Sequence, residues 1–214
     1  MTVYRPVVFD CDGVLVDSEE LGWAALDTVL DRYGATAEPE DKAVLAGTSW
    51  ATDYEYFSER VDLPDIYALS DELSVVMADL FQRKLEAFED AIDTLDALRI
   101  RGVSVAVASN FNRARLDVSL AATHLADFFE YSVAGDEVPH LKPAPDIYMR
   151  AAELLSVEAS QCVAVEDTPD GITSAKAAGM RVVAVERREH TLEELSEADA
   201  VVPRLTPITV LVEA

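Results

Sequence analysis

The chain has 214 residues, half of them hydrophobic, and its 17 basic and 41 acidic side chains give a formal net charge of −24 at pH 7. This length and composition suffice to bury the core of one large domain, or of a domain with a smaller insertion. The acidic residues are spread over the whole chain, which indicates a soluble, acidic surface and makes nucleic acid and anionic membranes poor partners.

The two cysteines, Cys11 and Cys162, lie in or beside apolar runs. This placement indicates buried thiols in a reducing compartment, without a required disulfide. No basic segment followed by an apolar stretch opens the chain, and no window approaches the roughly eighteen apolar residues of a membrane span. The predicted location is cytoplasmic.

The first predicted element is a short apolar strand at 6–9, and a long helical segment follows it. Residues 18–87 show one amphipathic helical pattern after another and no convincing strand. We therefore expect an inserted helical domain of about seventy residues at 18–87, while 1–17 and 88–214 form the core domain.

After residue 87, short Val- and Ala-rich runs alternate with amphipathic helical patterns. Strands are predicted at 103–109, 131–135, 162–167, 181–186 and 199–202, and helices at 89–101, 112–121, 144–155, 170–178 and 191–196. Continuous apolar strands are typical of a parallel sheet that helices cover on both faces. The predicted fold class is α/β, a doubly wound parallel sheet that binds ligands at the carboxyl ends of its strands.

Two acids, Asp10 and Asp12, directly follow the first strand in "VVFDCDGVLVDSEE". Side chains two residues apart point to the same side of an extended chain, and Gly13 allows a sharp turn after them. Two carboxylates held so close repel each other unless a cation lies between them or one takes a proton. The alternative is a helix cap or an Asx turn.

A second acidic pair, Glu166 and Asp167, ends the strand "CVAVED". In a parallel sheet the carboxyl ends of the strands meet at one edge, so these acids and the first pair are expected to converge. Carboxylate oxygens are the ligands that a hard cation such as Mg2+ prefers.

Two further strand ends offer groups that bind phosphate. Ser109 and Asn110 precede a helix that begins near Asn112, and supply a hydroxyl, an amide and main-chain N–H groups; the alternative is an ordinary helix cap. Lys142, in "HLKPAPDIY", stands before a helix with prolines at its start and could bind phosphate as a point charge. The alternative there is a solvated lysine.

These four stretches, "FDCDGVLVDSE", "VASN", "LKPAPDIY" and "VEDTPDGITSAKAAGM", resemble in this order the motifs of the haloacid dehalogenase superfamily. The last stretch resembles the β-phosphoglucomutase-like and sugar-phosphatase branch. The resemblance implies a Rossmann-like core with an all-helical cap domain inserted directly after the first motif, where residues 18–87 lie.

The resemblance also implies catalytic roles. Asp10 would be the nucleophile that forms an aspartyl phosphate, and Asp12 would protonate the leaving oxygen and then activate water. Mg2+ would be held by Asp10, the main-chain carbonyl of Asp12, and Asp167, with Glu166 either a further ligand or directly behind the ligands. The groups implied to hold the phosphoryl oxygens are Gly13, Ser109, Asn110 and Lys142.

The predicted function is that of a Mg2+-dependent phosphatase for a small phosphorylated metabolite, either a sugar phosphate or a sugar-acid phosphate. The mutases of this branch carry a His and an Arg where this sequence has Gly22 and Trp50, which favours hydrolysis over the mutase alternative. The alternative from another class is a phosphoacceptor or phosphate-binding module without turnover; the filled catalytic positions disfavour it.

Overall fold

The computed structural model describes residues 3–45, 50–187 and 190–213, apart from the side chain of Ile208. The chain forms two compact units. One consists of Met1–Asp17 and Glu86–Ala214 and is called the core below, and the other, Ser18–Leu85, is called the inserted unit. Within the described ranges, no helix combines the length with the apolar character that a membrane crossing requires.

Six of the strands form one parallel sheet in the core, in the order β5-β4-β1-β6-β7-β8. The strands are β1 (Val7–Phe9), β2 (Val16–Asp17), β3 (Glu86–Ala87), β4 (Val105–Ser109), β5 (Tyr131–Ala134), β6 (Val163–Glu166), β7 (Arg181–Val185) and β8 (Ala200–Val202). Strand β1 lies between β4 and β6, which is the point where the strand order reverses and where such sheets bind ligands. The predicted α/β class with a doubly wound parallel sheet is confirmed.

The helices cover this sheet or build the inserted unit. They are α1 (Glu19–Asp31), α2 (Pro39–Leu45), α3 (Trp50–Ser58), α4 (Ile66–Lys84), α5 (Glu89–Ile100), α6 (Arg113–Ala122), α7 (Asp146–Leu154), α8 (Pro169–Ala177) and α9 (Pro207–Val210). The strands are buried because helices pack on them: Ile147 of α7 and Ile172 of α8 join Val8 and Ala164 in one apolar cluster. Burial of each isoleucine or valine side chain in this cluster contributes about 1.5–3 kcal/mol.

Two short elements differ from the sequence expectation. Residues 86–87, assigned above to the insertion, form β3, which pairs antiparallel with β2 where the chain leaves and re-enters the core. The helix predicted at 191–196 does not form, and turns stand there. The Glu194 carboxylate accepts from the main-chain N–H of Thr191 at 2.8 Å and closes one turn, but the chain then enters β8 at Ala200.

The inserted unit has an apolar core of its own. Its buried centre includes Leu26 and Leu30 of α1 and Phe57 of α3, with Trp50 and Tyr56 packed against it. The described part of this unit contains the helices α1, α2, α3 and α4. Residues 46–49 lie outside the described residues.

Candidate active site

Asp10 lies at the centre of the carboxyl edge of the sheet. It follows β1, and its main-chain N–H donates to the carbonyl of Val165 in β6 at 2.9 Å. Its neighbours in the sheet end at Ser109 (β4) and Glu166 (β6). The parallel register therefore brings three of the sequence-predicted side chains to one edge.

Three buried acids converge there. Oxygen atoms of Asp10, Glu166 and Asp167 all lie within 4.8 Å of one another. Burial, and to a smaller extent the carboxylates of Glu166 and Asp12, raise the pKa of Asp10 to about 8, although Lys142 acts in the opposite direction. A divalent cation bound to these oxygens would relieve the repulsion, and an all-oxygen donor set suits Mg2+. The residues present therefore fit the implied metal.

Lys142 brings a positive charge into this cluster. Its side chain is only 4% exposed, and the ammonium group donates to Oδ1 of Asp10 and, at 2.6 Å, to Oε1 of Glu166. Burial alone would lower the pKa of Lys142, but the two carboxylates outweigh it and hold that pKa above its usual value. Lys142 is therefore a fixed cation beside the predicted nucleophile.

Ser109 and Asn110 lie on the loop between β4 and α6. Ser109 is buried, and its Oγ accepts a hydrogen bond of 3.2 Å from the main-chain N–H of Phe111. The side chain of Asn110 accepts from the main-chain N–H of Lys142 at 2.9 Å. Asn110 therefore ties the second predicted motif to the third. Asn112 caps helix α6, and its side chain accepts from the main-chain N–H of Arg115 at 2.9 Å.

Asp12 lies on the loop that follows β1 and is half-exposed. Its Oδ1 is 3.9 Å from a terminal nitrogen of Arg115. The guanidinium of Arg115 stacks on the ring of Phe111, and its burial lowers the pKa of Arg115 to about 10. Both cysteines, which belong to the described part of the chain, are free and buried, so Cys11 faces the core between the two acids.

Two glycines allow backbone to lie directly against the acids. Gly13 has φ +74°, and a Cβ there would be 1.7 Å from Oδ2 of Asp167. A Cβ on Gly171, in the first turn of α8, would be 2.0 Å from the carboxyl carbon of Glu166. Side chains at either position would displace a carboxylate of the cluster. The structure thus places Gly13 against Asp167.

A buried hydroxyl that was not predicted from the sequence also belongs to this site. Tyr148 of α7 donates to Oε1 of Glu166 at 2.6 Å. The other oxygen of Glu166 accepts from the main-chain N–H of Asp167 at 3.1 Å and from the hydroxyl of Thr168 at 3.4 Å. Tyr148 lies inside the motif "LKPAPDIY". Its hydroxyl could have indicated a role in the site, since a buried tyrosine needs a hydrogen-bond partner.

Comparisons with known proteins agree with this geometry. A family model described as haloacid dehalogenase-like hydrolase matches residues 7–185. The chain is 33% identical to the protein SUPPRESSOR OF QUENCHING 1 of Arabidopsis thaliana over 91% of its own length, but spans only 19% of that relative. It is 31% identical to the fructose-1-phosphate phosphatase YqaB of Escherichia coli, over 85% of this chain and 96% of that relative.

A solved structure shows the same fold over nearly the whole chain. A putative beta-phosphoglucomutase from Thermotoga maritima superposes with a TM-score of 0.80 at 25% identity, covering 92% of this chain and 94% of the other. The sheet order, the converging acids and the family match over residues 7–185 point to one conclusion. The chain belongs to the haloacid dehalogenase-like hydrolases.

Proposed function

We propose that this protein is a Mg2+-dependent phosphatase that hydrolyses a small phosphorylated metabolite, a sugar phosphate or a sugar-acid phosphate, through an aspartyl phosphate on Asp10. The observation that carries the proposal is the placement of Asp10 in contact with the Lys142 ammonium group and within 4.8 Å of two further carboxylates. The relative from Escherichia coli, named as a fructose-1-phosphate phosphatase, supports the substrate class.

In the first step, an oxygen of Asp10 attacks the phosphorus atom and the bond between phosphorus and the ester oxygen breaks. Asp12 gives its proton to the departing oxygen, which leaves as an alcohol. Lys142 holds Asp10 in place and reduces the repulsion between this carboxylate and the incoming phosphate. Ser109, with the main chain that follows it, holds phosphoryl oxygens.

In the second step, Asp12 is a carboxylate and takes a proton from a water molecule. The water oxygen attacks phosphorus, the bond to Asp10 breaks, and inorganic phosphate leaves. Asp10 is again a carboxylate and Asp12 again carries the proton for the next cycle. Two acids are therefore needed because one is covalently occupied while the other moves the proton.

Asp10, Asp167 and the main-chain carbonyl of Asp12 would hold Mg2+. When bound, the ion supplies charge neutralisation for the phosphoryl oxygens and the acids. Glu166 lies beside them, but both of its oxygens already accept hydrogen bonds. We assign to it the task of orienting Lys142.

The test is hydrolysis of p-nitrophenyl phosphate by protein freed of metal with EDTA and then given Mg2+. We expect turnover only with the cation, and a loss on the order of 1,000-fold or more in Asp10→Asn, because the amide cannot act as the nucleophile. Asp96→Asn on the exposed face of α5 is the control and should retain activity. Full turnover in Asp10→Asn, or in the presence of EDTA, would contradict the proposal.

A second assay with the same protein distinguishes hydrolysis from the mutase alternative. This alternative is tested because the protein from Thermotoga maritima with the same fold is named as a putative beta-phosphoglucomutase. With β-glucose 1-phosphate, a phosphatase releases inorganic phosphate, whereas a mutase forms glucose 6-phosphate. We expect inorganic phosphate. A phosphoacceptor module would instead incorporate at most one phosphate per chain without turnover.

The proposed partner is thus a small phosphorylated molecule, and neither nucleic acid nor membrane is proposed as one. The charge of −24 supports this choice, because phosphate-rich polymers and surfaces would be repelled. A cytoplasmic site of action is proposed on the strength of the two buried thiols.

A further inference from the structure

We propose that Arg187, just beyond the end of β7, is a positioning residue for the loop that carries Asp10 and Asp12. The inference rests on the proposed function of that loop. Arg187 binds the main chain that directly follows Asp12.

The guanidinium of Arg187 holds two consecutive carbonyl groups of the loop. Its Nε donates to the carbonyl of Gly13 at 3.0 Å, and one terminal nitrogen donates to the carbonyl of Val14 at 3.3 Å. The N–H of Gly13 donates in turn to the carbonyl of Val16 at 3.0 Å. Both main-chain polar groups of Gly13 are thereby fixed.

Arg187 is itself held rigidly. Its two terminal nitrogens bind the two oxygens of Asp90 at 3.0 and 3.1 Å, in the parallel geometry that guanidinium and carboxylate favour. The guanidinium also stacks on the ring of Phe88, and Asp90 accepts from the main-chain N–H of Leu205 at 2.8 Å. The Arg187 and Asp90 side chains are only 17% and 8% exposed. We call the pair of Arg187 and Asp90 the clamp, and residues 10–14, which carry the two acids, the catalytic loop. The clamp connects the catalytic loop to the start of α5 and to the C-terminal segment.

The position of Gly13 decides where two catalytic groups lie. Its Cα is so close to Asp167 that an added Cβ would be 1.7 Å from Oδ2 of that carboxylate. The peptide before Gly13 carries the Asp12 carbonyl, a proposed ligand of Mg2+. A shift of about 1 Å in this turn would displace both, and displacements of that size cost up to about 100-fold in rate.

A purely structural ion pair would lower stability when broken and leave the chemistry of the folded protein unchanged. The two roles are separable, because lysine keeps the charge of Arg187 but cannot make parallel bonds to Asp90 and to two carbonyls at once. Asp90→Asn weakens the support of the guanidinium and leaves the guanidinium itself in place.

The chain offers a matched control in Asp199. This carboxylate also accepts from one basic side chain, Lys176 at 2.6 Å, and from one main-chain N–H, that of Val182 at 2.7 Å. Its partners lie on α8 and β7 and not on the catalytic loop. Asp199→Asn therefore reports the cost of losing such an arrangement without moving the site.

The experiment compares wild type, Arg187→Lys, Asp90→Asn and Asp199→Asn. It measures kcat and KM on p-nitrophenyl phosphate, the melting temperature, and the rise in melting temperature caused by Mg2+ alone and by Mg2+ with beryllium fluoride. We expect Arg187→Lys and Asp90→Asn to lower kcat about 10- to 100-fold with KM within about threefold of wild type. Both should also weaken the ligand-induced shifts. Asp199→Asn should lower only the melting temperature.

The proposal is overturned if Arg187→Lys and Asp90→Asn retain wild-type kcat and wild-type ligand shifts, however much their melting temperatures fall. A wild-type protein without turnover on any phosphate ester would refute the proposed function instead. In that case the rise in melting temperature caused by Mg2+ tests the positioning role on its own. Unequal rises in wild type and Arg187→Lys support the role, and equal rises refute it.

Discussion

Glu166 is a fully buried carboxylate, and the residues around it explain how the core tolerates it. An unpaired charge in such a place would cost several kcal/mol. Lys142 supplies the opposite charge, while Tyr148, Thr168 and the main chain of Asp167 complete its hydrogen bonds. The direction in which Glu166 points, and with it the position of the Lys142 ammonium group, depends on these donors.

Tyr148→Phe removes one of these donors and keeps the ring whose centroid is 5.0 Å from Nζ of Lys142. We expect kcat on p-nitrophenyl phosphate to fall about 10-fold, since Glu166 can then rotate and loosen Lys142. The free energy of unfolding should fall by about 1.5–3 kcal/mol, as for other hydrogen bonds to a charged group. Steady-state kinetics and urea unfolding measure the two effects.

Tyr131→Phe is the control, because it removes an exposed tyrosine hydroxyl that also contacts a glutamate, Glu130, at 3.1 Å. Its effect on stability should stay within about 0.5 kcal/mol and kcat should not change. A Tyr148→Phe protein with the kcat of wild type would show that Glu166 keeps its place without the hydroxyl.

The convergence of Asp10 and Glu166 was predictable from the sequence because one follows and the other ends an apolar strand, and parallel strands end at one edge. Lys142 lies further from its strand, in the loop between β5 and α7, and was singled out by the motif around it. Tyr148 and Arg187 were not predictable in the same way. Their partners depend on how α7 packs on the sheet and on which loop lies beside the end of β7. No local pattern in a single sequence encodes such contacts.

At the scale of elements, the strands of the sheet were predictable and the shortest elements were not. Runs such as 162–165 are apolar without alternation, which is typical of a strand buried on both faces. Strands β2 and β3 have two residues each and helix α9 has four, so none of them shows a period. The pairing of β2 with β3 sets the boundary of the inserted unit, and this pairing is a tertiary contact.

Within the inserted unit, Asp41 joins α2 to α3 and the turn that follows α3. Its carboxylate accepts from Tyr56 and from Arg60, each at 2.6 Å, and from the main-chain N–H of Glu38 at 2.9 Å. These hydrogen bonds, that of Tyr56 first, lower the pKa of Asp41 to about 2 against the opposing effect of burial. The ionised form is therefore bound more tightly in the folded state than in the unfolded state.

Asp41→Asn should lower the free energy of unfolding of this unit by about 1–2 kcal/mol at pH 7. The value is this small because Arg60 is half-exposed and solvent screens its charge. Because the folded pKa lies below the unfolded one, this stability is present above about pH 4 and is lost as the pH falls toward about 2. The difference between wild type and variant should stay constant from about pH 8 to 5 and shrink below about pH 4.

Urea unfolding followed by tryptophan fluorescence measures this difference. Both tryptophans of the chain, Trp23 and Trp50, lie in the inserted unit, so the signal reports on it selectively. Asp79→Asn is the control, because Asp79 pairs with Arg83 on an exposed face of α4. An Asp41→Asn effect that grows as the pH falls would contradict the assigned sign.

At the scale of the whole molecule, the net charge of −24 opposes compaction, because folding brings like charges together over the entire surface. Exposed ion pairs on that surface, such as Arg83 with Asp79, contribute between zero and about 1 kcal/mol each. Buried pairs such as Arg187 with Asp90 are screened much less by salt. Added salt should therefore weaken the repulsion among the acidic side chains more than it weakens the buried ion pairs.

We accordingly expect the melting temperature of the metal-free protein to rise by about 5 °C between roughly 0.05 and 0.5 M NaCl, with most of the gain at the lower concentrations, where the screening length shortens most. The same series in KCl should give the same curve, since screening depends on ionic strength and not on the identity of the ion. Sucrose at matched osmolality is the uncharged control. At about pH 5.5, nearer the isoelectric point of about 4.2 that follows from the sequence, the gain from NaCl should be smaller. A melting temperature that is constant or falls with NaCl, or a gain that sucrose reproduces, would show that repulsion among the acidic side chains does not limit the stability of this fold.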